Sequence, residues 1–207
     1  MKYLTFIILL TIATSPAFGQ LKVHFGGGVN LSDISYSNLT SDFSGLNSTE
    51  TAANLYISAR PEVGLTENFS VSLDIQFSQK GFNNNDQKNN NPSEYKFQYL
   101  DLLPQIQYLI LRQVSVHAGL GLAIRTSEKY KFNEVWQETK TRFSDRTDPT
   151  YVFGLRFYPI KKLSLQLQVA GSLKNFSALE FTDSLGNELN IQTRLTNIQI
   201  GMAYQIF

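Results

Sequence analysis

Two serine–histidine pairs are the nearest this chain comes to an activated nucleophile. Ser115 and His117 stand two residues apart, and His24 and Ser32 less closely. A hydroxyl nucleophile needs its base within hydrogen-bond reach. Same-face neighbours on a strand are about 7 Å apart, which is too far for a direct bond. Both pairs also fall on positions that face a packed interior. The chain is therefore read as a non-enzyme, with an acyl-modifying enzyme as the third-ranked reading. Cysteine is absent, which removes thiol catalysis, disulfides and thiolate metal sites. Two histidines are too few for a His-rich metal centre. Gly26-Gly27-Gly28 lacks the Lys-Ser/Thr of a phosphate loop and does not open a helix. No metal or cofactor is expected.

The remaining candidates are charges in unusual places. Lys22, Arg60, Glu62, Asp74, Asp101, Arg125 and Arg156 sit among Gly, Ser and Gln, on the polar phase of alternating segments. Alternation runs through 21–31, 54–63, 69–77, 100–108, 114–125, 153–157, 163–169 and 197–206. Period two over such lengths means strands with one apolar and one polar face. The apolar phase carries no charge in any of the eight. Short turns near 66–68, 110–113 and 160–162 alternate with long polar loops near 33–52, 83–94, 126–148 and 177–189.

An all-β chain of eight antiparallel up-and-down strands, with short turns at one end and long loops at the other, describes a transmembrane β-barrel of the outer-membrane type. Both termini then lie at the short-turn, periplasmic end. A soluble ligand-binding barrel alternates too, with its apolar face inward. The uncharged apolar phase and the asymmetric loops favour the membrane. A Lys or Arg facing lipid would cost about 2–4 kcal/mol at the bilayer midplane. Phe25, Phe69, Tyr95, Phe97, Tyr108, Tyr151, Phe157 and Tyr204 gather toward strand ends as girdle residues would.

Eight strands leave an interior just wide enough for side chains. The seven inward charges are then expected to form a mutually neutralising structural network, because buried charges persist when paired. A narrow ion pathway is the competing reading. Pro61 and Pro104 lie inside strands, where bulges are expected to accommodate them. The parity slips near Tyr99–Leu100 and near Thr196. Phe207 is out of phase with the apolar stripe. In the third loop, Trp136 is the candidate anchor for a partner or glycan.

The first 19 residues hold one charge, Lys2, then an apolar run and small residues at Ala17 and Gly19. This is the pattern of a secretory signal peptide, leaving a barrel domain over 20–207. The net charge of +1 over 207 residues gives no support for a nucleic-acid partner.

The segments Arg60-Pro61-Glu62-Val63-Gly64-Leu65, Asn68-Phe69-Ser70-Val71 and Phe77-Ser78-Gln79-Lys80-Gly81 are family-like. So are Tyr99-Leu100-Asp101-Leu102-Leu103-Pro104 and Gly119-Leu120-Gly121. Together they resemble the PorT-like outer-membrane β-barrel family of Bacteroidota, over most of the mature chain. The resemblance implies an outer-membrane barrel in a Gram-negative cell, and its namesake takes part in protein secretion and gliding. It carries no functional residue across. The implied partners are outer-membrane lipids, the barrel-assembly machinery and envelope or secretion-complex proteins. The expected role is structural or accessory, and the alternative is a small channel or ligand-binding barrel.

The signal reading makes one prediction. Protein isolated from outer membranes should begin at Gln20 by N-terminal sequencing; a chain that retains its first 19 residues there would refute it.

Overall fold

The computed structural model describes residues 21–37, 49–84, 93–132, 135–138, 146–174, 177–182 and 188–207. Residues 1–19, read from the sequence as a signal peptide, and most of the asparagine-rich stretch 83–91 lie outside them. Five strands follow in order: β1 (Leu21–Ser37), β2 (Thr49–Gly64), β3 (Phe69–Asn84), β4 (Ser93–Leu111) and β5 (Val114–Phe132). A short β6 (Val135–Glu138) folds back on β5, and β7 (Thr147–Ile160) resumes the wall. Then come β8 (Leu163–Ser172), a short β9 (Ser177–Thr182) and β10 (Glu188–Gln205).

Each long strand pairs antiparallel with the next, and β1 pairs with β10 from His24↔Gln205 to Ser37↔Gln192. That last ladder closes an eight-stranded barrel. β6 and β9 are hairpin extensions of β5 and β10 at the long-loop end.

Alternation decides which side meets what. Leu55, Ile57, Ile106, Leu120, Phe153, Leu167 and Ile200 point outward and are exposed. Asn30, Ser78, Gln105, His117, Gln168 and Gln199 point inward and are buried. An exposed apolar belt around a buried polar interior is the reverse of a soluble protein, and only a lipid surround makes it stable.

Four expectations from the sequence change. Neither proline makes a bulge. Val23↔Pro61 and Leu73↔Pro104 sit in unbroken register. Regular pairing is interrupted without a shift on the far side, across Arg60–Pro61 toward β3 and Leu103–Pro104 toward β5. A missing donor removes a ladder bond but need not insert a residue. The slip near Tyr99 is half real. Gln98 pairs with Ser127 and Tyr99 with Arg125, so Thr126 is an extra residue on β5. β4 itself keeps its phase, with aromatic side chains inward. Near Thr196 the β1–β10 register is constant, and β10 there exchanges β8 for β9 as neighbour. Finally, Phe97 is fully buried and Tyr95 stacks inside on Phe82 at 4.7 Å, so neither joins a girdle. Phe25, Phe69, Tyr108, Tyr151, Phe157 and Tyr204 do face outward. Phe207 lies beyond the end of β10 and is 75% exposed.

The wall has a weak seam between β2 and β3. Between Thr51 and Tyr56 the β2–β3 register shifts and regular pairing lapses. Inside lipid, unpaired backbone groups cost several kcal/mol each. Side chains from β1, two strands away, fill the need. Ser32 Oγ donates to the Gly81 carbonyl at 2.8 Å and accepts from the Gly81 N–H at 2.8 Å. Asn30 Nδ2 donates to the Gln79 carbonyl at 2.9 Å. Gly81 is required there, since a Cβ would stand 2.1 Å from the Tyr95 carbonyl oxygen of β4.

Gly81→Ala should therefore lower unfolding stability by about 1–3 kcal/mol, the range for overpacking against backbone. Urea unfolding in lipid vesicles measures it, and an unchanged midpoint would contradict this account of the seam.

Candidate functional site

The lumen is where the chain concentrates its unusual chemistry. All seven sequence-predicted charges project toward it. Arg60, Glu62, Asp74, Asp101, Arg125 and Arg156 are buried, and Lys22 is half-buried at the short-turn mouth. Their partners are not one another in the ion pairs described. Lys80 Nζ meets Asp101 Oδ1 at 2.9 Å, while Ser78 Oγ donates to the other carboxylate oxygen at 2.6 Å. His24 Nε2 stands 3.5 Å from Glu62 Oε2, and Arg125 Nη1 3.7 Å from Glu128 Oε2.

The two most enclosed guanidiniums rest on amides. Arg156 donates through Nε to Gln166 Oε1 at 3.0 Å, through Nη1 to Gln107 and through Nη2 to Gln105. Arg60 Nη1 shares Gln166 Oε1 at 2.9 Å. A fixed fork of donors suits this arrangement, because three amide oxygens on two strands can meet one planar group.

A second system crosses the lumen at mid-height. His117 Nε2 donates to Gln168 Oε1 at 2.9 Å, and Gln168 Nε2 donates to Gln199 Oε1. Gln199 Nε2 donates to Gln76 Oε1 at 3.1 Å, and Gln76 Nε2 to Asp74 Oδ2 at 2.9 Å. Each amide accepts from one neighbour and donates to the next, so the chain of dipoles runs in one direction and ends on a carboxylate. Such chains strengthen cooperatively in a low-dielectric interior. His117 is thereby fixed as the Nε2–H tautomer. Its free Nδ1 and the Ser115 hydroxyl have no hydrogen-bond partner, so the two are not joined as base and nucleophile.

Above these layers the interior turns apolar. Ile34, Phe82, Phe97, Tyr99, Ala123 and Leu195 form one buried cluster, and Leu103, Val152 and Ala170 form another. Lys80 Nζ lies 4.6 Å from the Tyr99 ring centroid, and the Arg125 guanidinium 6.0 Å from that of Phe97. Charged and aromatic layers thus pack directly on each other.

Sequence reasoning missed three groups. Lys80 shares the phase of Asp74 and lies beyond the counted stripe, so parity could have found it. The glutamines stand on the polar phase of their stripes, which gives their direction but not their partners. Glu128 lies past the Thr126 bulge, where parity no longer reports direction. Trp136 stands on β6, partly exposed, with Lys96 Nζ 4.6 Å from its ring centroid. Among the described residues no three His, Asp or Glu converge as metal ligands.

The model of the outer membrane protein beta-barrel domain family matches residues 4–205. The chain belongs to this family. It is therefore a bacterial outer-membrane β-barrel, as closure and belt require. No curated protein matches it by sequence. Among solved structures it is similar to Ail, the attachment invasion locus protein of Yersinia pestis, determined with the heparin analogue sucrose octasulfate. That match has 14% identity and a TM-score of 0.52, covering 90% of this chain and 99% of that one. Neisserial surface protein A matches at 7% identity and a TM-score of 0.52, covering 88% and 96%. OprG from Pseudomonas aeruginosa matches at 12% and 0.51, covering 91% and 97%. These likenesses establish the fold.

The enclosed ion pair yields a prediction. Asp101→Asn leaves Lys80 charged without its counter-ion and should destabilise the barrel by about 3–5 kcal/mol. Adding Lys80→Met should recover most of the loss in vesicle unfolding. A double variant no better than the single one would show that the pair is not the source.

Proposed function

We propose that this protein is a non-enzymatic, structural or accessory barrel of the outer membrane that works through its ends, and not through a pore or a reaction. The observation that carries the reading is the filled lumen. Aromatic and aliphatic side chains pack its upper part with the Lys80–Asp101 pair, and charge-amide layers fill it below, down to a cavity at the short-turn mouth. Conduction needs sites weak enough to leave and a path between them. Layers held by paired charges and continuous hydrogen bonds offer neither.

The same filled interior argues against catalysis, since the Ser115–His117 pair has no room for a substrate. What remains are two membrane-facing rims and the loop hairpins. A contact role in a secretion or gliding-type complex fits these surfaces and the PorT-like resemblance. Export by a cleaved signal, insertion by the barrel-assembly machinery and lipid as solvent complete the reading. The loop end is a second contact surface in this reading, with Trp136 as its anchor.

Purified protein in planar bilayers should show no stable, reproducible conductance steps. Tagged protein crosslinked in outer membranes should recover the same envelope proteins repeatedly, identified by mass spectrometry. Stable channels, together with a barrel recovered alone, would favour the channel reading.

A further inference from the structure

The mouth at the short-turn end is built differently from the rest of the interior. A cavity of about 470 Å³ opens there, between the ends of β1, β2, β4 and β7 and the three tight turns. Lys22, Arg112, Lys161 and Lys162 line it, against the carboxylates of Glu62 and Glu67. The inner wall holds His24, which is only 4% exposed. Neither nitrogen of its ring has a hydrogen-bond partner, and Nε2 stands 3.5 Å from Glu62 Oε2. Just behind, Arg60 Nε is also without a partner.

Buried polar atoms are nearly always paired. The orphaned atoms deeper in the lumen, such as Ser115 Oγ and His117 Nδ1, are enclosed in its packing. Those of His24 belong to the lining of an open cavity. Charge adds a direction. Arg60 and Arg156 lie behind the lining, Arg60 opposite His24 and Arg156 bonded to Gln107, and their hydrogen bonds go to neutral oxygens, on Gln166, Ser164, Gln105 and Gln107. Their positive charge is therefore not cancelled at contact. A cleft with cations at its base and rim and low-dielectric walls focuses a field that concentrates anions.

We propose that this mouth is a binding site for a small, multiply charged oxyanion, a phosphate or pyrophosphate group. Lys161, Lys162, Arg112 and Lys22 supply the rim charge, and His24 is the buried donor at the inner end. Four cations against two carboxylates leave the cleft net positive, and that net field attracts a multivalent anion more strongly than a single carboxylate. Clustered ammonium and guanidinium groups suit phosphate oxygens. A free anion of the periplasm and the phosphorylated headgroup of an inner-leaflet lipid share this chemistry.

The test is calorimetric titration of inorganic pyrophosphate into the full barrel in uncharged detergent, at near-physiological salt. One saturable site is expected. The exposed-turn variant K161Q/K162Q should weaken binding by about fivefold, and His24→Gln should weaken it further. Lys129→Gln, at the opposite end, should leave it unchanged. If His24→Gln does not fold, the turn variant alone decides, because those residues are solvent-exposed. Repeating the titration in nanodiscs with and without phosphatidic acid separates the sources. Competition by the lipid identifies a headgroup site, and indifference identifies a free anion. No saturable binding, or equal binding by K161Q/K162Q and the parent, would overturn the proposal.

Discussion

Everything in this molecule depends on closing the sheet. Hydrocarbon offers no partner to a free N–H or C=O, so a spanning sheet must end where it begins. The ladder between β1 and β10 meets that demand. It also fixes the rest: eight strands enclose a narrow interior, and each strand must send alternate side chains into it. The seam between β2 and β3 shows how strict the demand is. Where the ladder lapses, Asn30 and Ser32 of β1 reach across to the backbone of Gln79 and Gly81.

A narrow polar interior then has to solve its own satisfaction problem. Half-satisfied buried networks are worse than apolar cores. This barrel divides the task by height. Near the short-turn end, guanidiniums rest on glutamine oxygens. At mid-height, four hydrogen bonds carry His117 through three glutamines to Asp74. Toward the loops, Phe82, Phe97 and Tyr99 form an apolar cluster against which Lys80 and Arg125 pack. The lumen is thus a core turned inside out, and its chemistry serves stability.

In the proposed reading, function is displaced to the ends for the same reason. The loop end carries two hairpin extensions and the Lys96–Trp136 stack. The opposite end carries a basic mouth whose inner donors are not absorbed by the network. A filled barrel can present different surfaces to the two sides of the membrane without connecting them. That separation fits an accessory envelope role better than transport.

The sequence by itself determined the eight strands, their facing, their order of turns and loops, and the inward placement of the seven charges. Period-two alternation is local and survives any tertiary detail. It also contained Lys80, on the same phase as Asp74. It could not determine who pairs with whom, because inward neighbours such as Gln76 and Gln199, or Arg60 and Gln166, come from distant strands. Only the closed barrel brought them together. Nor could it show that the prolines leave register intact, that Thr126 is the bulge, or that Phe97 turns inward. Parity gives direction along one strand, while register and bulges are set between strands by the accumulated geometry of closure.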